Sequence, residues 1–237
     1  MIGITVFGSG SSGNCYCLDN GTSQLLIETG IPYKKVAPKM GFDFTRVTGV
    51  LISHEHGDHS KYLNQFLQHT NSNIYMTSGT AGVLNIDDSY NYRIKAVKPL
   101  VDTVIGDWKV TPFSVEHDAA EPVGFLIESG GDKLIYVTDT YYVKYKFKGI
   151  TRMMVEMNYS AEIAAKNTTD GVLNRSLEKR ILTSHFEMDN SLSFIKANMS
   201  LTLRDVLLIH ISKTNGDPEL FQHKVQELTG VPVYIAK

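Results

Sequence analysis

The sequence predicts an α/β fold, of α+β character, in which sheet packs on sheet with helices outside. Three observations carry this expectation. Short β-branched runs alternate with helical patterns, the middle third is rich in hairpins, and the last third mixes strands with helices. No linker, low-complexity tract or repeat interrupts the 237 residues, so 1–237 reads as a single domain, and 42% hydrophobic content is enough to bury a proper core.

Taken in order, "ITVF" and "QLLIE", ending at Glu28, read as strands on either side of a glycine-serine loop, "GSGSSGNCYC" from Gly8. "NGTS" from Asn20 supplies turn chemistry. "VLIS" from Val50 is a buried strand by its continuous apolar run, and "KYLNQFLQH" from Lys61 an amphipathic helix. Strands follow at "NIYMT", "WKVTPFSV", "VGFLIES" and "KLIYVTD". Helices are expected over 160–166, 171–180 and 189–198, the last capped by Asp189 or Asn190. "DVLLIHIS" is one more buried strand, "DPELFQHKVQEL" a helix with Pro218 in its first turn, and "VPVYIA" a closing strand.

Bulk charge narrows the function classes. A net charge of -2 gives no global footprint for nucleic acid or for an anionic membrane, so any polyanion must be met by a local basic patch. No run approaches the ~18 apolar residues that a bilayer demands, and "MIGITVFGSG" lacks the pattern of a signal peptide. A cytoplasmic protein without membrane partners is the expectation. Cys15 and Cys17 fall on one face of a strand, too awkwardly spaced to bridge, and read as small buried residues.

The decisive stretch is "SHEHGDHS", directly after "VLIS". His54, Glu55, His56, Gly57, Asp58 and His59 supply three imidazoles and two carboxylates within six residues. A divalent metal needs nitrogen and oxygen ligands converging within about 2.0–2.2 Å, and a tight loop with this spacing can serve two ions at once. Two ions need more donors than one loop holds. His117, His185 and His210 each end a predicted strand or helix, and Asp139 follows "KLIYVT" in the same way; His69 and His223 fall on polar helix faces.

The pattern His-x-His-x-Asp-His, then a lone His, an Asp and a last His resembles the metallo-β-lactamase fold superfamily, matched by His54, His56, Asp58, His59, His117, Asp139 and His210. The resemblance implies a four-layer αββα sandwich. It implies that His54, His56 and His117 hold one ion, that Asp58, His59 and His210 hold the other, and that Asp139 bridges them together with a water or hydroxide. Zinc and manganese both suit such mixed ligands. Hydrolysis is the implied reaction, with Glu55 outside the ligand set.

Fold alone does not choose the substrate. "GSGSSGNC", "SVEHDAAEPVGF", "YVTDT" and "LIHISKTNGDPEL" are similar to segments of the WalJ/YycJ-like nucleases of this superfamily, which implies a nucleic acid substrate, DNA before RNA. Glu156 in "VEMN" and His185 in "SHFEMDN" fall where such nucleases carry a pair that orients a proton donor, so Asp58, Asp139, Glu156 and His185 are the candidate catalytic residues. For His185 the plain alternative is a helix-terminal histidine capping carbonyls. Two departures stand out: Glu28 replaces the usual Asp of the early strand, and "NYS" follows Met157, keeping Asn158 but not the usual His-Asp. Hydrolysis of a small phosphodiester, carboxylic ester or thioester is the second reading, and a non-catalytic binding domain the third.

Two segments bear on phosphate binding. "TYYVKYKFKG" from Thr140 interleaves aromatic residues with three lysines, which suits a single-stranded polyanion, or equally a strand with a buried aromatic face and a lysine-protected edge. "GSGSSGNCYC" lacks the Gly-Lys-Ser/Thr ending of a nucleotide-binding loop and leads into a strand, so it reads as a hairpin that brings Ser11 and Ser12 toward a substrate phosphate. Asn215 is a further candidate phosphate contact, or an ordinary turn residue.

Overall fold

The computed structural model describes residues 1–237. Its elements run β1 (Gly3–Gly8), β2 (Cys15–Asp19), β3 (Gln24–Ile27), α1 (Tyr33–Val36), β4 (Val47–Leu51), α2 (Gly57–Ser60), α3 (Leu63–His69), β5 (Asn73–Thr77), α4 (Ser78–Val83), β6 (Ile94–Val97), β7 (Thr103–Ile105), β8 (Trp108–Ser114), β9 (Val123–Ser129) and β10 (Asp132–Val137). They continue with β11 (Arg152–Glu156), α5 (Ala161–Thr169), α6 (Arg175–Ser184), α7 (Met188–Asn198), β12 (Asp205–Ile209), α8 (Pro218–Thr229) and β13 (Val233–Ile235). The strands form a six-stranded sheet in the order β1-β2-β3-β4-β5-β6 and a seven-stranded sheet in the order β13-β12-β11-β10-β9-β8-β7. No helix is long and apolar enough to cross a membrane.

The chain packs as two compact units. The first comprises residues 1–114 and 119–132 with Lys237. In it β1, β2 and β3 pair antiparallel, after which β3 to β6 run parallel. The parallel strands carry near-continuous apolar runs, as buried parallel strands do, and Leu26, Val50, Ile52, Ile74 and Met76 form one core with Cys15 and Cys17. α3 closes over that core through Leu63, Phe66 and Leu67, the apolar stripe read from its sequence. β7, β8 and β9 form antiparallel hairpins in this unit.

The second unit comprises residues 115–118 and 133–236. Here β10, β11, β12 and β13 run parallel in adjacent positions, so their carboxyl ends share one edge. α8 starts at Pro218 behind the Asp217 cap, whose side chain accepts from Glu219 N and Leu220 N.

Several elements depart from the sequence reading. β2 stands as a separate strand between β1 and β3, because the Asn20–Ser23 turn follows it. The histidine motif itself winds into α2, and the expected helix from Lys61 begins at Leu63. α6 starts at Arg175, since Asn174 caps it by accepting from Leu177 N at 2.8 Å. α7 is capped by Glu187, one residue before its first turn, in place of Asp189 or Asn190. β6, β7 and β11 escaped notice because two are very short and the third, "RMMVE", shows no alternation.

Candidate metal centre

In the first unit the chain leaves β4 at Leu51 and turns through His54 and His56 into α2, which carries Asp58 and His59. His54 and His59 are buried, while His56 and Asp58 are partly open. The donor atoms of His54 and His56 lie within 4.8 Å of one another, as do those of Asp58 and His59.

Three neighbours hold this loop. The opening hairpin supplies Asn14, whose backbone N–H donates to Asp58 O at 2.7 Å and whose Nδ2 stands 3.2 Å from His59 Nε2. Its Oδ1 accepts from Gly10 N and the Tyr16 hydroxyl, so the side chain is locked from both ends. Glu28, fully buried, accepts from Ser53 N through Oε2 and places Oε1 3.5 Å from His59 Nδ1. The longer carboxylate therefore still reaches the metal loop. Thr29 N donates to His59 O at 2.7 Å. Glu55 Oε1 accepts from Ala120 N at 2.7 Å. Ser11 and Ser12 are exposed at the hairpin tip.

The second unit presents Asp139, Glu156 and His210 at the shared carboxyl edge of β10, β11 and β12, where ligands of parallel sheets commonly bind. His117 donates from Nδ1 to Ser184 O at 2.7 Å, which leaves Nε2 directed at Asp139 Oδ2, 3.6 Å away. Fixing one ring nitrogen so that the other is presented is the arrangement that orients metal-binding imidazoles. Asp139 Oδ1 accepts from the Thr138 hydroxyl at 2.7 Å and lies 3.4 Å from His210 Nδ1.

Glu156 is the hub of this half. Its Oε1 accepts from His185 Nδ1 at 2.7 Å and from Asn158 Nδ2 at 3.1 Å, and lies 3.1 Å from His210 Nδ1. Oε2 accepts from Thr140 N and Phe186 N. Burial is the largest influence and works to raise the Glu156 carboxyl, but the charge of the His185 imidazole and the hydrogen bonds from His185 and His210 together bring the net direction down. His185 moves the other way: burial opposes its charge, the Glu156 carboxylate prevails, and its pKa is raised. The His185 side chain is 19% exposed whereas Glu156 is fully enclosed, so the imidazole is the open end of the pair. The donor atoms of Asp139, Glu156, His185 and His210 all lie within 4.8 Å of one another.

Imidazole nitrogens and carboxylate oxygens gathered this closely are a donor set suited to divalent ions. The backbone adds a feature that no sequence pattern discloses. Glu28, Asp139 and His210, each just past a strand end, take positive φ angles of 64°, 45° and 52°. Non-glycine residues adopt this region at a cost and concentrate there at functional sites.

Other predicted residues sit as follows. His69 is exposed and stacks on Tyr33 at 4.6 Å, and His223 is exposed on α8. Asn215 is buried; its Oδ1 accepts from Asn167 Nδ2 at 2.9 Å and its O from Ser160 N. Asn14 and Asn158, to which sequence reasoning assigned no role, both approach candidate ligands. Asn158 also donates to His210 O at 2.8 Å. The one signal for Asn14 was its place among the glycines that let the hairpin close on the metal loop.

Residues 26–211 match the family model described as a beta-lactamase superfamily domain. The chain is 26% identical over 241 aligned positions, covering 95% of it and 88% of the relative, to an exodeoxyribonuclease YycJ of Bacillus anthracis. It is 24% identical, covering 91% and 84%, to an exodeoxyribonuclease WalJ of Streptococcus pneumoniae. Among solved structures, the metallo-beta-lactamase fold protein YhfI of Bacillus subtilis superposes with a TM-score of 0.75 at 17% identity, over 99% of this chain and 95% of that one.

Proposed function

The chain belongs to the beta-lactamase superfamily, is a metal-dependent hydrolase by that membership, and we propose that it is a two-metal phosphodiesterase acting on DNA from an end. His54, His56 and His117 would hold one divalent ion, Asp58, His59 and His210 the other, with Asp139 shared, all within one catalytic domain of residues 1–237. Zinc and manganese both fit these ligands. When bound, such a pair supplies hydroxide near neutral pH and neutralises charge on the attacked and leaving oxygens.

The Glu156–His185 pair is the observation that carries the phosphodiester reading. Departure of an alkoxide from phosphorus needs a proton, and a carboxylate that fixes one imidazole nitrogen leaves the other to deliver it. The enclosed Glu156 keeps Nδ1 of His185 bonded, holds the ring against rotation and favours the protonated form. Nε2 then carries the transferable proton toward the leaving oxygen. Ser11 and Ser12, exposed in the hairpin loop, would meet a neighbouring phosphate. The exodeoxyribonuclease relatives support DNA as the polymer, and a cytoplasmic location accords with that substrate.

End-labelled single- and double-stranded DNA and RNA, incubated with zinc- or manganese-loaded protein, test this directly. Stepwise shortening of DNA is expected, reduced more than about 100-fold by Asp139→Asn, with two ions bound per chain in the parent protein. Cleavage of a small aryl phosphodiester or thioester with all four polymers intact would replace the nuclease with a small-substrate hydrolase.

A further inference from the structure

Residues 140–149 leave Asp139 without forming a helix or strand, which removes the reading of this stretch as a protected sheet edge. Its root is pinned: Tyr141 N donates to Glu116 O, and the Thr140 hydroxyl bonds to Tyr142 O. Its far end is pinned too, with Phe147 N donating to Asn198 Oδ1 at 2.7 Å at the last residue of α7. Between these anchors the segment and α7 enclose a groove of about 200 Å³. Phe186 and Phe194 form its apolar floor, their rings 5.8 Å apart, while Tyr142, Lys144, Lys146 and Asn190 stand around it.

Both walls grow out of the proposed chemistry. Tyr142 is three residues from Asp139, and Phe186 directly follows His185. The segment carries Lys144, Lys146 and Lys148, all exposed, and no carboxylate, against a chain whose net charge is -2. Tyr142 is 56% exposed, so its ring is accessible beside the groove. A volume below the ~300 Å³ at which drug-sized ligand pockets begin leaves room for one ring system.

We propose that this groove is the nucleobase subsite beside the scissile phosphate: one unstacked base of a single strand lies between the 142–146 segment and α7, and Lys144 and Lys146 neutralise the phosphates on either side. The assignment rests on the nuclease reading and deepens it. An aromatic wall with flanking lysines is sequence-tolerant, since every base has a face to stack and every linkage a charge to neutralise. It supplies the local basic patch that the overall charge withholds.

Two variants separate charge from stacking in steady-state cleavage of a short single-stranded oligothymidylate by the metal-loaded protein. Lys144→Ala/Lys146→Ala is expected to raise KM about tenfold, with little change in kcat, and to make the salt dependence of log(kcat/KM) shallower by about 1.4 for two lost phosphate contacts. Ala197→Phe fills the groove and keeps the lysines; it is expected to raise KM about tenfold with the salt slope unchanged. Circular dichroism and bound-metal content matching the parent would exclude misfolding as the cause. If the parent cleaves DNA and both variants keep its KM and slope, the subsite is overturned while the nuclease reading stands. If the parent cleaves no polymer yet hydrolyses a small phosphodiester, the nuclease reading falls, and the subsite with it.

Discussion

Asn14 shows how much one buried amide can organise. It bonds to both ends of its own hairpin and touches Asp58 and His59 in the metal loop, forty-odd residues away in sequence. Asn14→Ala would leave the buried Gly10 N without its side-chain acceptor, at about 1–3 kcal/mol, while Asp58 O keeps the backbone N–H of residue 14. A lower Tm is expected, with metal affinity reduced about 10- to 100-fold, read by competition with a chromogenic chelator. Asn14→Ala with unaltered metal affinity would show that the hairpin supports the fold and not the site. The candidate ligands of the metal loop are legible in the sequence as residues, because histidines and aspartates at such short spacing have few other uses. Asn14 was not legible, since an asparagine among glycines and serines announces a turn whether or not it reaches across to another loop.

The elements are held to one another by backbone fit as much as by side chains. Gly30, just after β3, lies so close to the metal loop that a Cβ there would sit 1.7 Å from Asp58 O and 2.8 Å from Asn14 N. No side chain can give way, because both neighbours are backbone. Gly30→Ala should therefore push the β3 exit off the metal loop, costing about 3 kcal/mol or more and weakening metal binding. Gly57→Ala is the control: it lies inside the histidine motif, yet nothing stands within 4 Å of its Cβ, and a change within about 0.5 kcal/mol is expected. Differential scanning calorimetry of the two variants distinguishes local packing from mere proximity to the ligands. β5 and β9 have the bounds their sequence patterns give, whereas β4 begins at Val47, three residues before the apolar run "VLIS", and helix starts slip by a few positions. The starts of α6 and α7 depend on whether Asn174 and Glu187 cap, a competition among neighbouring polar residues that sequence alone leaves open.

At the scale of the whole molecule, the family match takes in residues from both units, and each unit by itself carries candidate donors. The expectation of αββα layering comes from the resemblance, since strand patterns constrain pairing only locally and cannot say which sheet a strand joins. β2 buries both cysteines in the first unit's core, where burial pushes the Cys17 thiol up to about 12 and Cys15 well above its ordinary value. A thiol is reactive as its thiolate and only where a reagent can reach it. Neither cysteine should react with a disulfide reagent at pH 8 in the native protein, and both should react together on denaturation. Fast modification of either under native conditions would show that the core of β2 opens locally.

That silence of the native thiols makes the protein its own blank for site-directed labelling. A single cysteine introduced at exposed Lys196, on α7 but outside the groove lining, would be the one reactive thiol at the surface, so a fluorophore attached there could report occupancy of the groove beside α7 without removing either native cysteine.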